Sequence, residues 1–99
     1  MKDIYFTIAG TNHYYGQEFF KEGMKVKLRK DKDNELDREA IQVEVEGLGK
    51  VGYVANSPRT VMGESISAGR MYDMIGKKAK GKVVLVLEYG VLCKLKQAE

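Results

Sequence analysis

Two short segments of this chain hold side chains that could act together on a ligand. Residues 10–16 place an aromatic cluster between two glycines, and residues 30–43 place Asp37 in a predicted hairpin that follows a run of basic residues. Aromatic faces stack on bases, cations contact phosphates, and a carboxylate accepts a hydrogen bond from a hydroxyl. These are the groups that a site for the end of a single nucleic-acid strand needs.

Length and composition predict one globular domain over residues 1–99. The chain is 43% hydrophobic and 31% charged, with a net charge of +3, which is typical of a globular protein and only weakly favours an anionic partner. No apolar run approaches the roughly 20 residues of a membrane span, and the first residues do not resemble a signal peptide. The single cysteine, Cys93, excludes an internal disulfide and lies in an apolar run. We therefore expect a cytoplasmic protein with Cys93 as a buried core residue.

Alternating apolar residues predict a mainly β protein. The pattern is clearest in residues 24–29, where Val26 and Leu28 are expected to point inward. Ser57 and Pro58 are typical of a helix start, and the pattern after them indicates one or two short helices before residue 75. The expected fold is a small six-stranded OB/SH3-like β-barrel with these helices between strands 4 and 5. The predicted strands are residues 4–9, 24–29, 40–46, 50–54, 79–88 and 91–95.

Lysine side chains crowd residues 21–32 and residues 77–82, and acidic residues interrupt only the first cluster. Either cluster is a solvated surface or a set of phosphate contacts, and the sequence leaves both readings open. In the first cluster, Lys25 and Lys27 are expected to face acidic residues of the next strand, an ordinary cross-strand pairing that contributes about 0.2–1 kcal/mol.

Arg29 and Lys30 are the better ligand candidates of the first cluster. They lie closer to the mouth of the predicted hairpin than Lys25 and Lys27 do. A cation at that position could contact a phosphate beside the proposed strand end.

Three motifs in this order resemble the HIRAN domain, a small β-barrel module. The first is the glycine-bounded aromatic stretch at 10–16, and the second is a basic residue, a polar turn, an aspartate and an Ala-Ile-x-Val run within 30–43. The third is Val51-Gly52-Tyr53. The resemblance extends from about residue 6 to residue 95, and the chain length suggests the stand-alone, bacterial-type form.

The resemblance implies a non-catalytic module that binds single-stranded DNA and captures its 3′-hydroxyl end. Tyr14 would stack on a base, and Asp37 would accept a hydrogen bond from the terminal hydroxyl. Asn12 and Lys30 would contact phosphates, and Tyr53 would face the strand. The expected partners are single-stranded DNA and a DNA-processing protein, with no cofactor, small-molecule substrate or membrane. The candidate nucleic-acid-binding residues are Asn12, His13, Tyr14, Tyr15, Arg29, Lys30, Leu36, Asp37 and Tyr53.

Two departures from the family pattern favour a second hypothesis. Leu36 stands where the hairpin of the family has an aromatic residue, and Asn12 stands where DNA-binding members have a cation. On this alternative the barrel is kept, the DNA site has decayed, and the chain is a protein-interaction module.

Several candidates also have a purely structural interpretation. The Asp37 carboxylate could bond the backbone of its own hairpin, as turn aspartates do. One ring of Tyr14 and Tyr15 could pack on the core. His13 could stack, donate to a phosphate, or be an ordinary surface histidine.

The sequence favours neither a metal site nor an enzyme. Residues 31–37 alternate oxygen ligands as a calcium loop does, but Leu36 occupies the position that needs glycine and Gln42 the position that needs glutamate. The chain has one histidine and one cysteine, and no Gly-x-Ser-x-Gly or phosphate-binding glycine loop.

Overall fold

A computed structural model describes residues 3–98, and the two ends of the predicted domain, residues 1–2 and 99, lie outside the described residues. Within residues 3–98, six strands, one 3-10 turn and one five-residue helix are present. The strands are β1 (Tyr5–Ala9), β2 (Lys25–Lys30), β3 (Ile41–Val45), β4 (Gly49–Val54), β5 (Lys78–Leu87) and β6 (Gly90–Ala98); the turn is Thr11–His13 and the helix α1 is Ala68–Tyr72.

The strands form a closed antiparallel barrel in the order β1-β4-β3-β2-β5-β6. Strand β1 closes it, because its residues pair with β6 from Tyr5 to Ile8 and with β4 at Ile8 and Ala9. A closed barrel leaves no unpaired sheet edge. The predicted six-stranded barrel is therefore confirmed.

The barrel interior holds the apolar set that strand alternation predicted. In β2, Val26 and Leu28 are buried between the exposed side chains of Lys25, Lys27 and Arg29. Facing residues from the other strands, including Phe6, Ile8, Ile41, Val43, Val51 and Val91, complete one core.

Cys93 belongs to this core and is fully buried, as predicted. Burial raises the pKa of its thiol to about 12, because a thiolate would be poorly solvated there. The thiol therefore stays protonated and acts as a small apolar side chain.

Thr7 is buried although it lies on the opposite face of β1 from the core residues. The connection between β4 and β5 covers this face. The Thr7 hydroxyl lies 2.9 Å from the Ser65 hydroxyl and accepts a hydrogen bond from the Met62 backbone N–H at 3.2 Å. Both faces of β1 are thus packed.

One short helix lies between β4 and β5, as predicted, but the prediction that it starts at Ser57 is wrong. The Ser57 carbonyl accepts hydrogen bonds from the N–H groups of Thr60 and Val61, which makes a single turn, and the next N–H, that of Met62, bonds Thr7 instead. Helix α1 begins later, after Ser67, whose hydroxyl caps the N–H of Arg70. Residues 3–98 contain no helix long and apolar enough to cross a membrane.

Gly52 is the point where β4 comes closest to β1. A Cβ there would lie 2.8 Å from the carbonyl oxygen of Ala9 and 2.8 Å from Cγ2 of Ile8. Since backbone and a core side chain must both move, we expect Gly52→Ala to lower the free energy of unfolding by about 1–3 kcal/mol. Equilibrium unfolding in urea measures this change.

Gly69→Ala is the matched control for this prediction. A Cβ at Gly69 would meet the carboxylate of Glu39 at 2.6 Å, but Glu39 is exposed and its flexible side chain can rotate away. Gly69 lies in α1, where alanine is favoured over glycine by up to about 1 kcal/mol. An equal loss of stability in both variants would contradict the close approach of β1 and β4.

Candidate nucleic-acid interface

An open cleft of about 430 Å³ lies where β1 and β4 meet the connection between β2 and β3. Its walls include Gly10 at the end of β1, Leu36 and Asp37 from the β2–β3 connection, and residues 53–57. Of the nine candidate residues, Leu36, Asp37 and Tyr53 line this cleft. The pairing of β1 with β4 puts Ala9 opposite Tyr53, so the end of β1 borders the same cleft.

The Asp37 carboxylate is held in place by two hydrogen bonds. One oxygen accepts from the backbone N–H of Glu39 at 2.9 Å, and the other accepts from the side-chain amide of Asn56 at 3.1 Å. The structural alternative for Asp37 is therefore confirmed, since the carboxylate does bond its own hairpin. Each carboxylate oxygen can accept more than one hydrogen bond, so these contacts leave capacity for a ligand hydroxyl.

Asn34 and Asn56 fix the surroundings of Asp37. The side-chain oxygen of Asn34 accepts from the N–H groups of Leu36 and Asp37, both at 2.9 Å. The side-chain oxygen of Asn56 accepts from the N–H of Gly69 at 2.8 Å, which ties the cleft to α1. The carboxylate is thus presented by a rigid turn.

Leu36 is 99% exposed at the rim of the cleft. An exposed aliphatic side chain can cover a base or an apolar partner group, but it lacks the flat ring that stacks. Leu36 therefore gives the rim of the cleft an apolar surface without a stacking ring.

Tyr53 connects the cleft to two charged residues that the sequence analysis did not predict. Its hydroxyl donates to the Asp31 carboxylate at 2.7 Å and accepts from the Lys50 ammonium at 2.9 Å. Strand register explains the contact. Arg29, Gln42 and Tyr53 pair in one row across β2, β3 and β4, so the Tyr53 ring reaches across β3 toward Asp31, which immediately follows β2.

The same hydrogen bonds shift three pKa values. Hydrogen bonding from Tyr53 lowers the pKa of the Asp31 carboxyl, and hydrogen bonding to Tyr53 raises the pKa of the Lys50 ammonium. Burial raises the pKa of the Tyr53 phenol. At neutral pH the group is an anion, a neutral phenol and a cation.

Lys50 lies between two aromatic rings. Its ammonium nitrogen is 5.0 Å from the ring centroid of Tyr53 and 5.9 Å from that of Tyr14. Both distances are within the range of cation–π attraction. Tyr14, which is 39% exposed, is therefore linked through this protonated lysine to the cleft residue Tyr53.

The other residues of the aromatic loop differ from Tyr14 in their exposure and contacts. The loop turns at Gly10, with φ of 71°, into the 3-10 turn, and leaves Asn12 and His13 exposed. The Tyr15 hydroxyl donates to the carbonyl of Leu48 at 3.3 Å, and its ring packs edge-on against Phe19 at 6.2 Å. Tyr15 nevertheless stays 55% exposed, more than Tyr14, so neither ring is buried in the core.

Arg29 and Lys30 lie away from the cleft. Arg29 forms an ion pair of 2.6 Å with Glu44. The Lys30 ammonium donates to the carbonyl of Ile75 at 3.0 Å and lies 4.2 Å from the ring centroid of Tyr72. Both cations are bound to partners within the barrel, so the structure does not bring them to the predicted strand end.

The cross-strand pairing expected for Lys27 is present in register. Lys27 lies directly opposite Glu44, as predicted, but the ion pair of Glu44 is with Arg29. Gln42 is nearly buried and donates to Glu44. It lies between Arg29 and Tyr53 in their row, and these long side chains leave it little exposure to solvent.

The sequence offers a clue to Lys50 but not to Asp31, the two residues that it did not predict for the site. Lys50 precedes the third motif and faces Glu44 in register, so a basic residue beside a predicted site tyrosine was available as a clue. The sequence presents Asp31 only as the first residue of the calcium-like segment 31–37. Among residues 3–98, His, Cys, Asp and Glu side chains form no cluster of three that could hold a metal ion.

The Tyr53–Asp31 hydrogen bond gives a test in solution. A carboxyl whose folded-state pKa is lowered stabilises the fold above its ordinary pKa, and this stability is lost as pH falls through the lowered value. We expect Tyr53→Phe to raise the pKa of Asp31 toward the ordinary value and to reduce the acid-dependent loss of stability, both followed by NMR-detected pH titration. Tyr15→Phe removes a hydroxyl that bonds Leu48 and should leave Asp31 unchanged; an equal shift would contradict the contact.

Comparison with known proteins identifies relatives of this barrel. The family model described as HIRAN domain matches residues 1–74. The crystal structure of the HIRAN domain of human HLTF superposes with a TM-score of 0.62 at 16% identity, covering 98% of this chain and 77% of that one. A protein from Lactobacillus plantarum superposes with a TM-score of 0.57 at 22% identity, covering 97% of this chain and 98% of that one. No curated protein matches the chain.

Proposed function

This chain belongs to the HIRAN domain family, whose members are known as DNA-binding modules, and we propose that it binds single-stranded DNA with the 3′-hydroxyl end in the cleft at Asp37. One observation carries the proposal. The Asp37 carboxylate is fixed by Glu39 and Asn56 on the wall of an open cleft. A fixed acceptor in such a place suits a hydroxyl donor.

The charge of Asp37 favours an end over a continuous strand. A carboxylate repels a phosphate but accepts a hydrogen bond from a hydroxyl. Within a continuous strand, the 3′ oxygen is esterified and cannot donate. The free 3′ end is therefore the part of a strand that this cleft would bind best.

Tyr14 and Lys50 would hold the nucleotides next to the end. The exposed face of Tyr14 would stack on a base, a contact that contributes about 1–3 kcal/mol. The Lys50 ammonium, beside the rings of Tyr14 and Tyr53, would contact a phosphate. With one stacking ring and few phosphate contacts, binding is expected in the micromolar range at low salt, with a steep salt dependence.

The proposed unit is one non-catalytic domain over residues 1–99. Strands β5 and β6 lie beyond the segment that the family model matches, yet they complete the closed barrel. HIRAN domains are generally non-catalytic on their own, and we propose the same for this chain. Its free thiol at Cys93 and its proposed DNA partner favour the cytoplasm as its location.

Leu36 supports a second candidate function, a protein-interaction module. The side chain is 99% exposed beside the cleft, and burying its apolar surface against a partner protein would be favourable. On this alternative the cleft would take an apolar side chain of a DNA-processing protein.

The end preference is tested with Asp37→Asn and a short fluorescent single strand. Asparagine keeps an oxygen for the Glu39 N–H but replaces the other acceptor with a donor. We expect the native chain to bind a 3′-hydroxyl strand more tightly than a 3′-phosphate strand, and Asp37→Asn to abolish most of this difference, as measured by fluorescence anisotropy. Binding of neither strand at low salt would favour the protein-interaction function.

Asp33→Asn is the matched control, because Asp33 is an exposed carboxylate of the same connection and loses the same charge. This variant should keep the preference for the free hydroxyl. If both variants strengthen binding to the two strands alike, the effect is one of net charge, and Asp37 is not the end-binding group.

Lys50→Gln tests the phosphate contact. Glutamine can still donate to the Tyr53 hydroxyl, but it carries no charge. We expect weaker binding of single-stranded DNA, with the slope of log affinity against log salt reduced by about 1, as measured by anisotropy titrations at several salt concentrations. Lys32→Gln removes an exposed charge from the β2–β3 connection and should change the slope less.

A further inference from the structure

A ladder of like charges runs along the outer faces of β2 and β5. In register, Lys25 faces Lys82, Lys27 faces Lys80, and Arg29 faces Lys78. All six side chains are exposed. The β2–β5 ladder is therefore three directly opposed cation pairs, formed by Lys25, Lys27, Arg29, Lys78, Lys80 and Lys82.

Directly opposed like charges destabilise a sheet. An acidic residue at the facing position would avoid this cost. The other side of β2 shows such an arrangement, since Lys27 faces Glu44 there. No acidic residue occupies the corresponding positions of β5. The ladder thus concentrates positive charge where sheet packing gives no reason for it.

Neighbouring strands neutralise only one side of the ladder. On the β3 side, Glu44 pairs with Arg29, and Glu46 borders the surface near Lys25 and Lys82. On the β6 side, the exposed Lys96 borders the same surface beside Lys80 and Lys82. The β5 row therefore extends into further positive charge.

The spacing and composition of the ladder fit a polymer of repeated negative charges. Successive cations on one strand are two residues apart, or about 6.6–6.8 Å. The six ladder positions carry no aromatic ring, so a base has no surface on which to stack. Contacts must then come from charge alone. Duplex DNA carries negative charge more densely than one of its strands does, with one charge per about 1.7 Å of axis.

We propose that the β2–β5 ladder binds the phosphate backbone of duplex DNA. In the barrel order, β2 and β5 lie opposite β1 and β4, whose ends form the cleft. Strand β3, with Glu44 in it and Glu46 directly after it, separates the two surfaces. The ladder is therefore a second surface, and its function does not depend on the proposed capture of a strand end.

A covalently closed, relaxed circular duplex tests the proposal, because it has no 3′ end for the cleft. We expect the native chain to retard this circle in a mobility-shift assay at low salt and to release it as salt rises. The double variant Lys27→Ala/Lys80→Ala should bind about tenfold more weakly or worse, with the salt slope reduced by about 2. Lys27→Arg/Lys80→Arg keeps both charges and should bind like the native chain.

Two controls distinguish the ladder from general charge and from the cleft. Lys21→Ala/Lys32→Ala removes two exposed lysines outside the ladder and should bind the circle nearly as well as the native chain. Asp37→Asn should not weaken binding to the circle, whatever it does to strand ends. The thermal midpoint of Lys27→Ala/Lys80→Ala should equal or exceed the native value, because an opposed cation pair is removed.

Three results would overturn the proposal. The first is no retardation of the circle at low salt. The second is an equal loss of binding in the ladder and control double variants. The third is tighter binding of poly-glutamate than of the circle at the same salt, which would assign the ladder to an acidic protein segment.

Discussion

Closure of the barrel through β1 is the constraint on which the rest of the structure depends. This five-residue strand pairs with β6 along most of its length and with β4 at its end. Its core side chains, Phe6 and Ile8, are fully buried, and Thr7 is buried on the opposite face. Because β1 ends against β4, the aromatic loop that follows it emerges beside Tyr53, and the cleft exists only where these two strands meet.

The strands could be predicted from sequence because barrel strands alternate between core and solvent, as β2 does. A short helix between β4 and β5 could also be predicted, but its first residue could not, because hydrogen bonds after Ser57 are tertiary. Ser57 and Pro58 do begin a helical turn, but the Met62 N–H then bonds the buried hydroxyl of Thr7. A local pattern does not indicate that a threonine on a distant strand competes for the next backbone donor.

The candidate site also has a part that the sequence predicts and a part that depends on tertiary structure. Leu36, Asp37 and Tyr53 were predicted from motifs and lie on one cleft, since short motifs at strand ends stay together in this fold. The contact of Asp31 with Tyr53 depends on the register of three strands, which sequence spacing does not give. The contact of Lys30 with the carbonyl of Ile75, 45 positions further along the chain, depends on tertiary structure in the same way.

Salt screening keeps the charges of the ladder from acting at the cleft. Salt screens exposed charges beyond about 8–10 Å near physiological ionic strength, whereas the barrel measures 34 × 29 × 28 Å. The ladder therefore cannot offset the charge of Asp37 when a strand enters the cleft on the other side. A nearer cation must do so, and the candidate is Lys50, which donates to the hydroxyl of the cleft residue Tyr53 and whose pKa this hydrogen bond raises. The balance between Asp37 and Lys50, rather than the net charge of the chain, should decide whether the cleft accepts a strand end.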